Sequence, residues 1–521
     1  MDYILAFDAG TGSIRAVLFD TDGNQVVTSQ YEWTHIADPA YPESMDFDTD
    51  KNWELVKKCS REVVQKTKIN PVQIKVISAT SMREGFVLYD RNGDEIWACA
   101  NVDARSSEEV KLLKSMDNTL ERKIYELSGQ TFALGAIPRL LWLKIHKPEL
   151  YEKASSISMI NDWILYKLTG QLQVDPSNGC TTGIFNLQKR DWSTAGTDLC
   201  GIKNNLYPQV HEAGVIFGKV THEAAALTGL AEGTPVASGA GDAQAASVGT
   251  GTIQPGQTLV SGGSFWQQEI NITEPIIDPN SRVRVNCHAL SHLWQLETIV
   301  FFPGLVMRWF RDSFCELEIQ EAQRTGKDPY DILEEKAKEV PVGSHGIMPI
   351  FSNVMNYISW RHASPSFINL SLDANKCGKN ALFRAIQENA AIVTLGNLKI
   401  IAEETGHFPE EVIFAGGASK GKLWSQILAD VLGIPVKVPV EKEAAALGTA
   451  IMAGVGSGIY NSVSEAAKKV VHWEREHKPD PENNKKYNII YSNWQQIYSE
   501  QLKLADEGKT SHMWKAPGLE V

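Results

Sequence analysis

The stretch Ile4–Asp20 reads ILAFDAGTGSIRAVLFD, and it decides the predicted fold. Two apolar runs flank a short turn of glycine and hydroxyl residues, which predicts two strands joined as a β-hairpin. Gly10 and Gly12 lack a Cβ, so the backbone there can adopt positive φ and approach a ligand closely. Thr11 and Ser13 add hydroxyl groups, and successive N–H groups of such a turn can form a nest for an anion. The alternative is an ordinary hairpin with a polar tip.

Asp8 closes the first apolar run, and Arg15 lies in the second. A carboxylate at the end of a buried strand suits a hydrated Mg²⁺, which prefers carboxylate and water oxygens. Arg15 stands where a dinucleotide-binding fingerprint needs its third glycine, so that fingerprint fails here. The hairpin therefore predicts an anion and magnesium site rather than a Rossmann fold.

The composition is that of a soluble globular protein. The chain has 521 residues, enough for at least two domains. It is 43% hydrophobic and 22% charged. The formal net charge of −13 argues against nucleic-acid binding, which needs a basic surface. The same charge does not exclude ATP, because backbone N–H groups and metal ions hold nucleotides as much as cationic side chains do.

Several features predict a cytoplasmic protein that does not contact a membrane. No basic segment precedes the first apolar run, so the sequence predicts no secretory signal. The uncharged stretch Ala444–Ser464 is rich in small residues and predicts a packed helix and turn rather than a membrane span. The seven cysteines are scattered and form no C-x-x-C pair, which favours reduced thiols over disulfides or a zinc site.

Helix and strand patterns alternate along the whole chain, which predicts the α/β class. A seam rich in glycine and alanine, Gly233–Gly251, separates two halves, and the predicted boundary lies at Gln254–Gly256. We therefore expect domains at residues 1–254 and 255–521. In the second of them, the pattern of Ala381–Glu403 predicts a long amphipathic helix.

Polar residues follow two of the predicted strands in the first half. Arg83 and Glu84 come shortly after the strand Ile74–Ala79. Residues just past the ends of strands in open α/β sheets commonly contact ligands, so both are candidate substrate contacts. A solvated turn pair is the alternative. Asp103 and Arg105 end another apolar run, where a structural ion pair would be the simpler interpretation.

Asp242 is the strongest candidate for chemistry. It follows Gly239-Ala240-Gly241 at a predicted strand-to-helix turn on the seam between the halves. Transfer of a phosphoryl group to an alcohol needs a base near the hydroxyl, and such a base contributes about 10²–10⁴-fold in rate. The alternative for Asp242 is a helix N-cap, which is a common use of aspartate.

The second half contains two more glycine turns. Gly262-Gly263-Ser264 follows its first predicted strand and resembles the opening turn. Gly416 to Leu423 matches a phosphate-binding P-loop except at Leu423, where a Ser or Thr must place a hydroxyl on Mg²⁺. The P-loop fold is therefore rejected. A glycine floor before a helix N-terminus can still hold a phosphate or an adenosine.

Taken in order, the hairpin, the seam aspartate and the two glycine turns resemble the FGGY carbohydrate kinases of the actin/hexokinase superfamily, over essentially the whole chain. Asn101–Arg105 resembles that family's W-N-D-x-R segment, although Val102 is inserted and the Trp is missing. Other segments that resemble family signatures are Asp162–Gly170, Phe414–Lys420, Gly433–Val436 and Glu443–Gly448.

The resemblance implies two ribonuclease-H-like α/β domains, as in actin-like ATPases, with an active-site cleft between them. It implies ATP and Mg²⁺, with ATP mainly on the C-terminal domain and the substrate mainly on the N-terminal domain. The implied ATP-binding residues are Gly10, Thr11, Gly12, Ser13, Arg15, Gly263 and Ser264 for the phosphates and Gly416, Gly417 and Ala418 for the adenosine. The implied substrate residues are Arg83, Glu84, Asp103, Trp266 and Asp242; Asp242 is also the implied base, and Asp8 and Asp242 are the implied metal ligands.

Within that family, six further segments resemble the autoinducer-2 kinases: Ser81–Gly85, Ala98–Arg105, Phe265–Gln268, Met307–Asp312, Pro365–Leu370 and Trp514–Leu519. This implies phosphorylation of the terminal hydroxyl of open-chain 4,5-dihydroxy-2,3-pentanedione in quorum sensing. It also suggests a phosphocarrier protein of the sugar phosphotransferase system as a regulatory partner. A kinase for xylulose, ribulose or glycerol is the alternative in the same class. An actin-like ATPase acting as a chaperone or filament is the alternative outside it, and Asn101–Arg105 and the C-terminal signature argue against it.

Overall fold

The computed structural model describes residues 1–441 and 443–519. The opening stretch forms the predicted hairpin, in which Tyr3–Ala9 and Ser13–Asp20 pair antiparallel and Asp8 lies opposite Arg15. The first strand is buried along almost its whole length: Ile74–Ser81 pairs with it in parallel on its other side, and the residues on its two faces belong to two hydrophobic clusters. The turn therefore lies at the end of the sheet where the first strand has its carboxyl terminus.

The first half of the chain builds a seven-stranded sheet, a five-stranded sheet, two two-stranded sheets and the helices that cover them. Its strands are β1 Tyr3–Ala9, β2 Ser13–Asp20, β3 Gln25–Glu32, β4 Ile36–Asp38, β5 Tyr41–Asp46, β6 Ile74–Ser81, β7 Phe86–Tyr89, β8 Glu95–Cys99, β9 Ser156–Met159, β10 Gln173–Val174, β11 Phe185–Asn186, β12 Asp191–Trp192, β13 Gln209–Val210, β14 Ile216–Lys219, β15 Pro235–Ala237 and β16 Ala240–Gly241. Its helices are α1 Thr49–Thr67, α2 Ser107–Met116, α3 Leu120–Ser128, α4 Ala136–His146, α5 Pro148–Lys153, α6 Ile160–Thr169, α7 Pro176–Gly179, α8 Thr194–Leu199, α9 His222–Thr228 and α10 Asp242–Gly249.

The second half builds another seven-stranded sheet and two two-stranded sheets among its described residues. Its strands are β17 Thr258–Gly262, β18 Trp266–Ile272, β19 Arg284–Cys287, β20 Trp294–Val300, β21 Met348–Ile350, β22 Arg361–His362, β23 Ser366–Ile368, β24 Val412–Ala415, β25 Val436–Pro439, β26 Trp473–His477 and β27 Trp514–Lys515. Its helices are α11 Pro303–Phe314, α12 Glu316–Thr325, α13 Pro329–Ala337, α14 Lys379–Thr405, α15 Lys422–Leu432, α16 Ala444–Gly456, α17 Val463–Val470 and α18 Pro481–Asp506.

The two main sheets have the same strand arrangement. In the first, the order β3-β2-β1-β6-β15 joins an antiparallel meander to a parallel strand. In the second, β20-β18-β17-β24-β25 joins antiparallel and parallel strands in the same way. This repeat confirms the predicted α/β class with two related domains. The first sheet ends before residue 254 and the second begins after it, and the exact boundary stays a prediction.

Helix α16 returns to the first domain although it comes late in the chain. It shares a hydrophobic cluster with Ile4 and Ala6 of β1 and Val76 of β6. It also crosses α10 at very short range. A Cβ on Gly448 would lie 1.8 Å from the carbonyl oxygen of Ala245, so the two backbones can meet only because this position is glycine. On its other side α10 packs Ala246 against Leu259 and Ile413 of the second sheet, so α10 lies between the two domains.

The prediction of an amphipathic helix at residues 381–403 is wrong in one respect. The helix α14 exists, but every residue from Phe383 to Leu398 is buried, so it has no solvent-facing stripe over that length. Polar residues inside this segment pair with one another or with neighbouring helices, as Arg384 does with Glu388 on the next turn. Periodicity fails here because other elements cover the helix on several sides.

All seven cysteines are free thiols. Within residues 1–441 and 443–519, no helix is both long enough and apolar enough to cross a bilayer.

Candidate active site

The tip of the opening hairpin is anchored from the first domain. The indole Nε1 of Trp33 donates to the carbonyl oxygen of Gly10 at 3.0 Å, and Asn101 Nδ2 donates to Thr11 Oγ1 at 3.1 Å. Thr11 and Gly12 are themselves exposed, and Gly10 and Ser13 are half-buried. The turn is therefore held in place while its outer side remains open to a ligand.

Arg15 connects this hairpin to the second half of the chain. Its Nη1 lies 2.7 Å from Glu443 Oε2, directly ahead of α16, and 3.6 Å from Asp8 Oδ2. The guanidinium is thus already paired with carboxylates on two sides. Its predicted contact with phosphate would require it to exchange or share these partners.

Asp8 lies in a strongly electronegative position. Burial raises the pKa of its carboxyl to about 7; Arg15 opposes the rise, and the carboxylates of Asp242 and Glu443 add to it. A site where neighbouring carboxylates repel one another favours a cation. Within the part of the chain that the structure describes, no cluster of three or more His, Cys, Asp or Glu residues could hold a metal by itself.

Asp242 is the first residue of α10, and Gly241 is the N-cap. The alternative prediction of an aspartate N-cap is therefore wrong. The carboxylate accepts a hydrogen bond from the N–H of Ala243 at 2.8 Å and lies 3.7 Å from Arg83 Nε. Its side chain is 37% exposed, so a substrate can reach it. Desolvation of the carboxylate within the cleft raises its pKa to about 6, against the opposing charge of Arg83. A carboxylate with this pKa can serve as a base near neutral pH.

Arg83 and Glu84 are buried in an ion-pair network that joins the two domains. Arg83 binds Glu297 of β20 through both terminal nitrogens, one of them at 3.0 Å. Glu84 Oε1 lies 2.6 Å from Arg284 Nη2 of β19, and Arg284 also reaches Glu297 at 3.3 Å. The solvated-turn alternative for this pair is therefore wrong. The network orients Arg83 so that its Nε faces Asp242.

Glu297 and Glu269 are cross-strand neighbours in very different environments. Burial would raise the pKa of Glu297, but Arg83 and Arg284 outweigh that effect and hold the pKa below its ordinary value. Glu269 has no ion-pair partner in the described residues; burial, together with the charge of Glu297, raises its pKa to about 8. Ser247 of α10 donates to Glu269 at 3.3 Å. At pH 7 we therefore expect Glu297 to be ionised and Glu269 to be protonated.

These acidic side chains belong to a polar face of the second sheet. Pairing places Arg284 opposite Glu297 and Glu297 opposite Glu269 in one row across β19, β20 and β18. In the next row Gln295 binds Asn271 at 3.0 Å and Ser247 of α10 at 2.8 Å. This face packs against α10 and so supports the helix that begins at Asp242.

The backbone at Glu84 is fixed from both sides. Its φ is +63°, a left-handed conformation that non-glycine residues seldom adopt. The buried Arg139 donates to the carbonyl oxygen of Glu84 at 2.6 Å and to that of Asp103 at 2.8 Å. The N–H of Glu84 donates to Thr181 Oγ1 at 3.3 Å. Strained residues held by several neighbours cluster at functional sites, and Arg139 positions both loops here.

Asp103 forms the ion pair with Arg105 that was the simpler interpretation of the sequence. Its buried carboxylate binds Arg105 Nε at 2.9 Å and the N–H of Met45 at 2.7 Å. Arg105 also binds Asp46. With its carboxylate paired and its side chain inaccessible, Asp103 does not reach a ligand in this conformation.

Trp266 also lies away from the cleft surface. The side chain is fully buried, with its ring centroid 4.9 Å from those of both Phe414 and Trp424. It packs in the core beneath the glycine turns. The resemblance implied a substrate contact for Trp266. In the structure Trp266 is the first residue of strand β18, and its side chain faces the core.

The two glycine turns of the second half line one cavity of about 350 Å³. Gly416 has φ +83°, and a Cβ there would lie 2.7 Å from the carbonyl oxygen of Gly262, so the turns touch only through glycine. Predicted ATP-binding residues on the cavity wall are Gly263, Ser264, Gly417 and Ala418. Residues 417–420 form a short 3₁₀ turn before α15. The cavity is concave, mostly apolar and of the size that suits a small ligand.

Sequence reasoning missed Arg139, Glu269, Arg284 and Glu297. Three of them lie on the polar face, whose strands alternate polar and apolar residues, as in Gln295-Leu296-Glu297. That alternation is the signal that was available, because a strand with charged residues on one buried side must meet a polar partner. Arg139 sits in an apolar helix pattern, where a lone arginine gives no comparable signal.

Known proteins share both the sequence pattern and the fold. The family model "FGGY family of carbohydrate kinases, N-terminal domain" matches residues 3–249, and the model of the C-terminal domain of the same family matches residues 272–457. The protein named Autoinducer-2 kinase in Escherichia coli (strain K12) is 53% identical over 518 residues, 99% of this chain and 98% of its own length. The protein of that name in Salmonella paratyphi A (strain ATCC 9150 / SARB42) is 52% identical over the same shares.

Solved structures agree in fold. The xylulose kinase from Rhodospirillum rubrum matches with a TM-score of 0.84 at 23% identity, over 96% of this chain and 99% of that one. The glycerol kinase of Plasmodium falciparum, solved with ADP, matches with a TM-score of 0.84 at 20% identity, over 96% of this chain and 98% of that one. Two repeated sheets, a cleft aspartate and both family models lead to one assignment: the chain belongs to the FGGY family of carbohydrate kinases.

Proposed function

We propose that the protein is an ATP-dependent kinase that phosphorylates the terminal hydroxyl of autoinducer-2 in its open-chain form, 4,5-dihydroxy-2,3-pentanedione. Relatives of that name are identical at about half of all positions over nearly the full length. The single observation that carries the chemistry is the position of Asp242, an accessible carboxylate at the head of α10 between the two domains. Its pKa near 6 suits a base at neutral pH.

In the proposed reaction, Asp242 removes the proton from the terminal hydroxyl of the acceptor. The oxygen forms a bond to the γ-phosphorus of ATP as the bond from that phosphorus to the bridging oxygen of ADP breaks. The proton remains on the carboxyl of Asp242 until product leaves. Arg83 Nε, 3.7 Å from Asp242, stabilises the carboxylate before transfer and keeps it oriented.

The acceptor would bind on the N-terminal side of the cleft, near Arg83 and Glu84. Both side chains are held in the interdomain network, which supports them as rigid contacts for a small polar molecule. Trp266 and Asp103 are left out of this proposal because neither side chain is accessible. The proposed acceptor site thus contains fewer residues than the resemblance implied.

The nucleotide would span the two glycine regions. We place the phosphates between the opening turn, Gly10–Ser13, and the second turn at Gly263 and Ser264. The adenosine would occupy the cavity beside Gly416, Gly417 and Ala418. The cavity volume and its glycine walls support this placement. Arg15 would contribute to the phosphates by releasing Glu443.

Asp8 and Asp242 would hold Mg²⁺ together with water and the phosphates. Burial is the main cause of the raised pKa of Asp8, and the charge of Asp242 adds to it; this added repulsion supports a cation between Asp8 and Asp242. When bound, the ion would neutralise the charge of the phosphate oxygens.

A substrate-stimulated ATPase assay tests the proposal. Purified protein is supplied with ATP, Mg²⁺ and one acceptor at a time: autoinducer-2, xylulose, ribulose or glycerol. We expect autoinducer-2 to give the largest stimulation and a phosphorylated product. Preference for a pentulose or glycerol by orders of magnitude would refute the substrate while retaining the kinase. ATP hydrolysis that no acceptor stimulates would favour the actin-like ATPase alternative.

A cytoplasmic location and regulation by a phosphocarrier protein of the sugar phosphotransferase system remain part of the proposal. The resemblance to autoinducer-2 kinases is their support. Titrating the phosphocarrier into the same assay tests the second point, and unchanged turnover together with undetectable binding by calorimetry would contradict it.

A further inference from the structure

An amide oxygen beside the glycine cavity lacks a hydrogen-bond donor. Gln387 of α14 is 1% exposed and lines the cavity. Its Nε2 donates to Glu334 Oε1 at 2.9 Å, while its Oε1 has no partner among the described residues. A buried carbonyl oxygen without a donor destabilises the protein unless something else supplies one. The cavity is the place from which a donor can come.

The orientation of this amide follows from its neighbour. Glu334 accepts hydrogen bonds from the N–H groups of Leu423 at 3.1 Å and Trp424 at 3.3 Å, at the start of α15. A carboxylate has no proton to donate, so only the NH₂ group of Gln387 can face it. The amide oxygen must therefore point away from Glu334. Glu334 acts here as a positioning residue for both the helix and the amide.

The glycine loop cannot provide a competing side chain at this point. A Cβ on Gly421 would lie 2.4 Å from Glu334 Oε1, so any side chain there would displace the carboxylate that orients the amide. The cavity wall also includes the apolar side chains of Met307, Phe383 and Trp424, and charged residues such as Arg308 and Asp331 lie elsewhere along it. A flat base can pack against such a wall while its polar edge meets the amide oxygen.

We propose that Gln387 Oε1 accepts a hydrogen bond from the exocyclic amino group of a 6-aminopurine, so that this residue selects adenine over 6-oxopurine nucleotides. The inference rests on the proposed nucleotide function of the cavity and adds the residue that reads the base. A 6-oxopurine presents a carbonyl oxygen where adenine presents an amino group. Two acceptors would then face each other, and neither would be paired.

Calorimetry on the full chain with nucleoside diphosphates tests this inference without any acceptor substrate. The probes are ADP, IDP and purine riboside 5′-diphosphate, in which hydrogen replaces the amino group. We expect the wild type to bind ADP roughly 3- to 10-fold more tightly than the purine riboside nucleotide, the effect of one hydrogen bond, and to bind IDP at least as weakly as that nucleotide.

Two variants locate the effect. Gln387→Met is nearly isosteric and has no amide, and Gln387→Asn withdraws the oxygen by one methylene. We expect each to lower ADP affinity toward that of IDP while changing IDP affinity little. A purely structural role of Gln387 would weaken both nucleotides alike. Asn389→Leu removes another buried amide of α14, one that binds Pro349 outside this cavity, and should keep the preference.

Three results would decide against the inference: equal binding of ADP and IDP by the wild type, an unchanged preference in both folded variants, or no binding of any nucleotide. The last would also refute the proposed function. A normal ADP preference without stimulation by any acceptor would refute only the acceptor, and the inference would stand.

Discussion

Glu297 and Glu269 are neighbouring carboxyls, and replacing each with glutamine should affect the stability of the protein differently. Both are fully buried and lie opposite each other on adjacent strands. Glu297 binds Arg83, Arg284 and Asn286, whereas Glu269 receives one hydrogen bond from Ser247. Glu297→Gln removes the negative charge that two buried guanidinium groups share. Glu269→Gln replaces a carboxyl that is already neutral at pH 7 by an isosteric neutral amide.

The expected size follows from burial. Removing one partner of a buried ion pair costs about 3–5 kcal/mol, because the remaining charge is left without a counter-ion. For a domain of this size such a loss lowers the thermal midpoint by roughly 6–20 °C. Glu269→Gln should leave the midpoint unchanged or raise it. Because Arg83 loses its anchor, Glu297→Gln should also raise KM for the acceptor more than KM for ATP.

The pH dependence separates the two carboxyls further. The pKa of Glu269 is raised in the folded state, from 4.5 to about 8, so the wild type loses stability as pH rises through that interval. The glutamine of Glu269→Gln does not titrate there. The stability of this variant relative to the wild type should therefore increase from pH 5 to about 8. The pKa of Glu297 is depressed, so its contribution should be lost only as the pH falls below 4.5. Thermal unfolding followed by circular dichroism from about pH 3 to about pH 8 measures both effects. Equal destabilisation by the two substitutions at pH 7, or less than about 1 kcal/mol for Glu297→Gln, would refute the assignment of charge.

Further predictions concern the base and the glycine contacts. Asp242→Asn should retain ADP binding by calorimetry but lose at least roughly 100-fold in kcat, and near-normal turnover would exclude Asp242 as the base. In the wild type, kcat/KM should fall as the pH drops below about 6, where the Asp242 carboxyl becomes protonated; a flat profile from pH 5 to about 8 would contradict this pKa. Gly448→Val should lower the thermal midpoint sharply, because its Cβ would lie 1.8 Å from Ala245 O. Gly417→Ala is the matched control, with nothing within 4 Å of its Cβ; it should fold normally but raise KM for ATP by occupying the cavity.

Local patterns in the sequence predicted the parts of the site that are local in the chain. The hairpin around Gly10 and the turn before α15 each consist of a strand, a glycine turn and the next element, so their signals lie within about a dozen residues of sequence. The position of Asp242 at a strand-to-helix turn is predicted by the glycine and alanine residues that directly precede it. For these features, the turn residues and the apolar runs beside them indicate the same local structure.

The interdomain network could not be predicted in the same way. Arg83 and Glu297 are separated by 214 positions, and nothing in either local segment indicates the other. Asp103 and Trp266 show the reverse problem, since a family-like segment suggested ligand contacts while tertiary packing buried both side chains. Likewise, the sequence of α14 predicts an amphipathic helix, but in the structure neighbouring elements cover its polar positions. In each case the deciding contact comes from a distant part of the chain.

The return of α16 to the first sheet has a practical consequence for dissecting the protein. A fragment that ends at residue 254 would keep all the strands of the first sheet but lack the helix that covers Ile4, Ala6 and Val76. That surface would be an exposed apolar patch, and such patches promote aggregation. The complementary fragment would carry α16 with its apolar face bare. The halves should therefore be insoluble when produced separately and recover a folded complex when produced together, so this enzyme could be divided into a reporter pair but not into two autonomous modules.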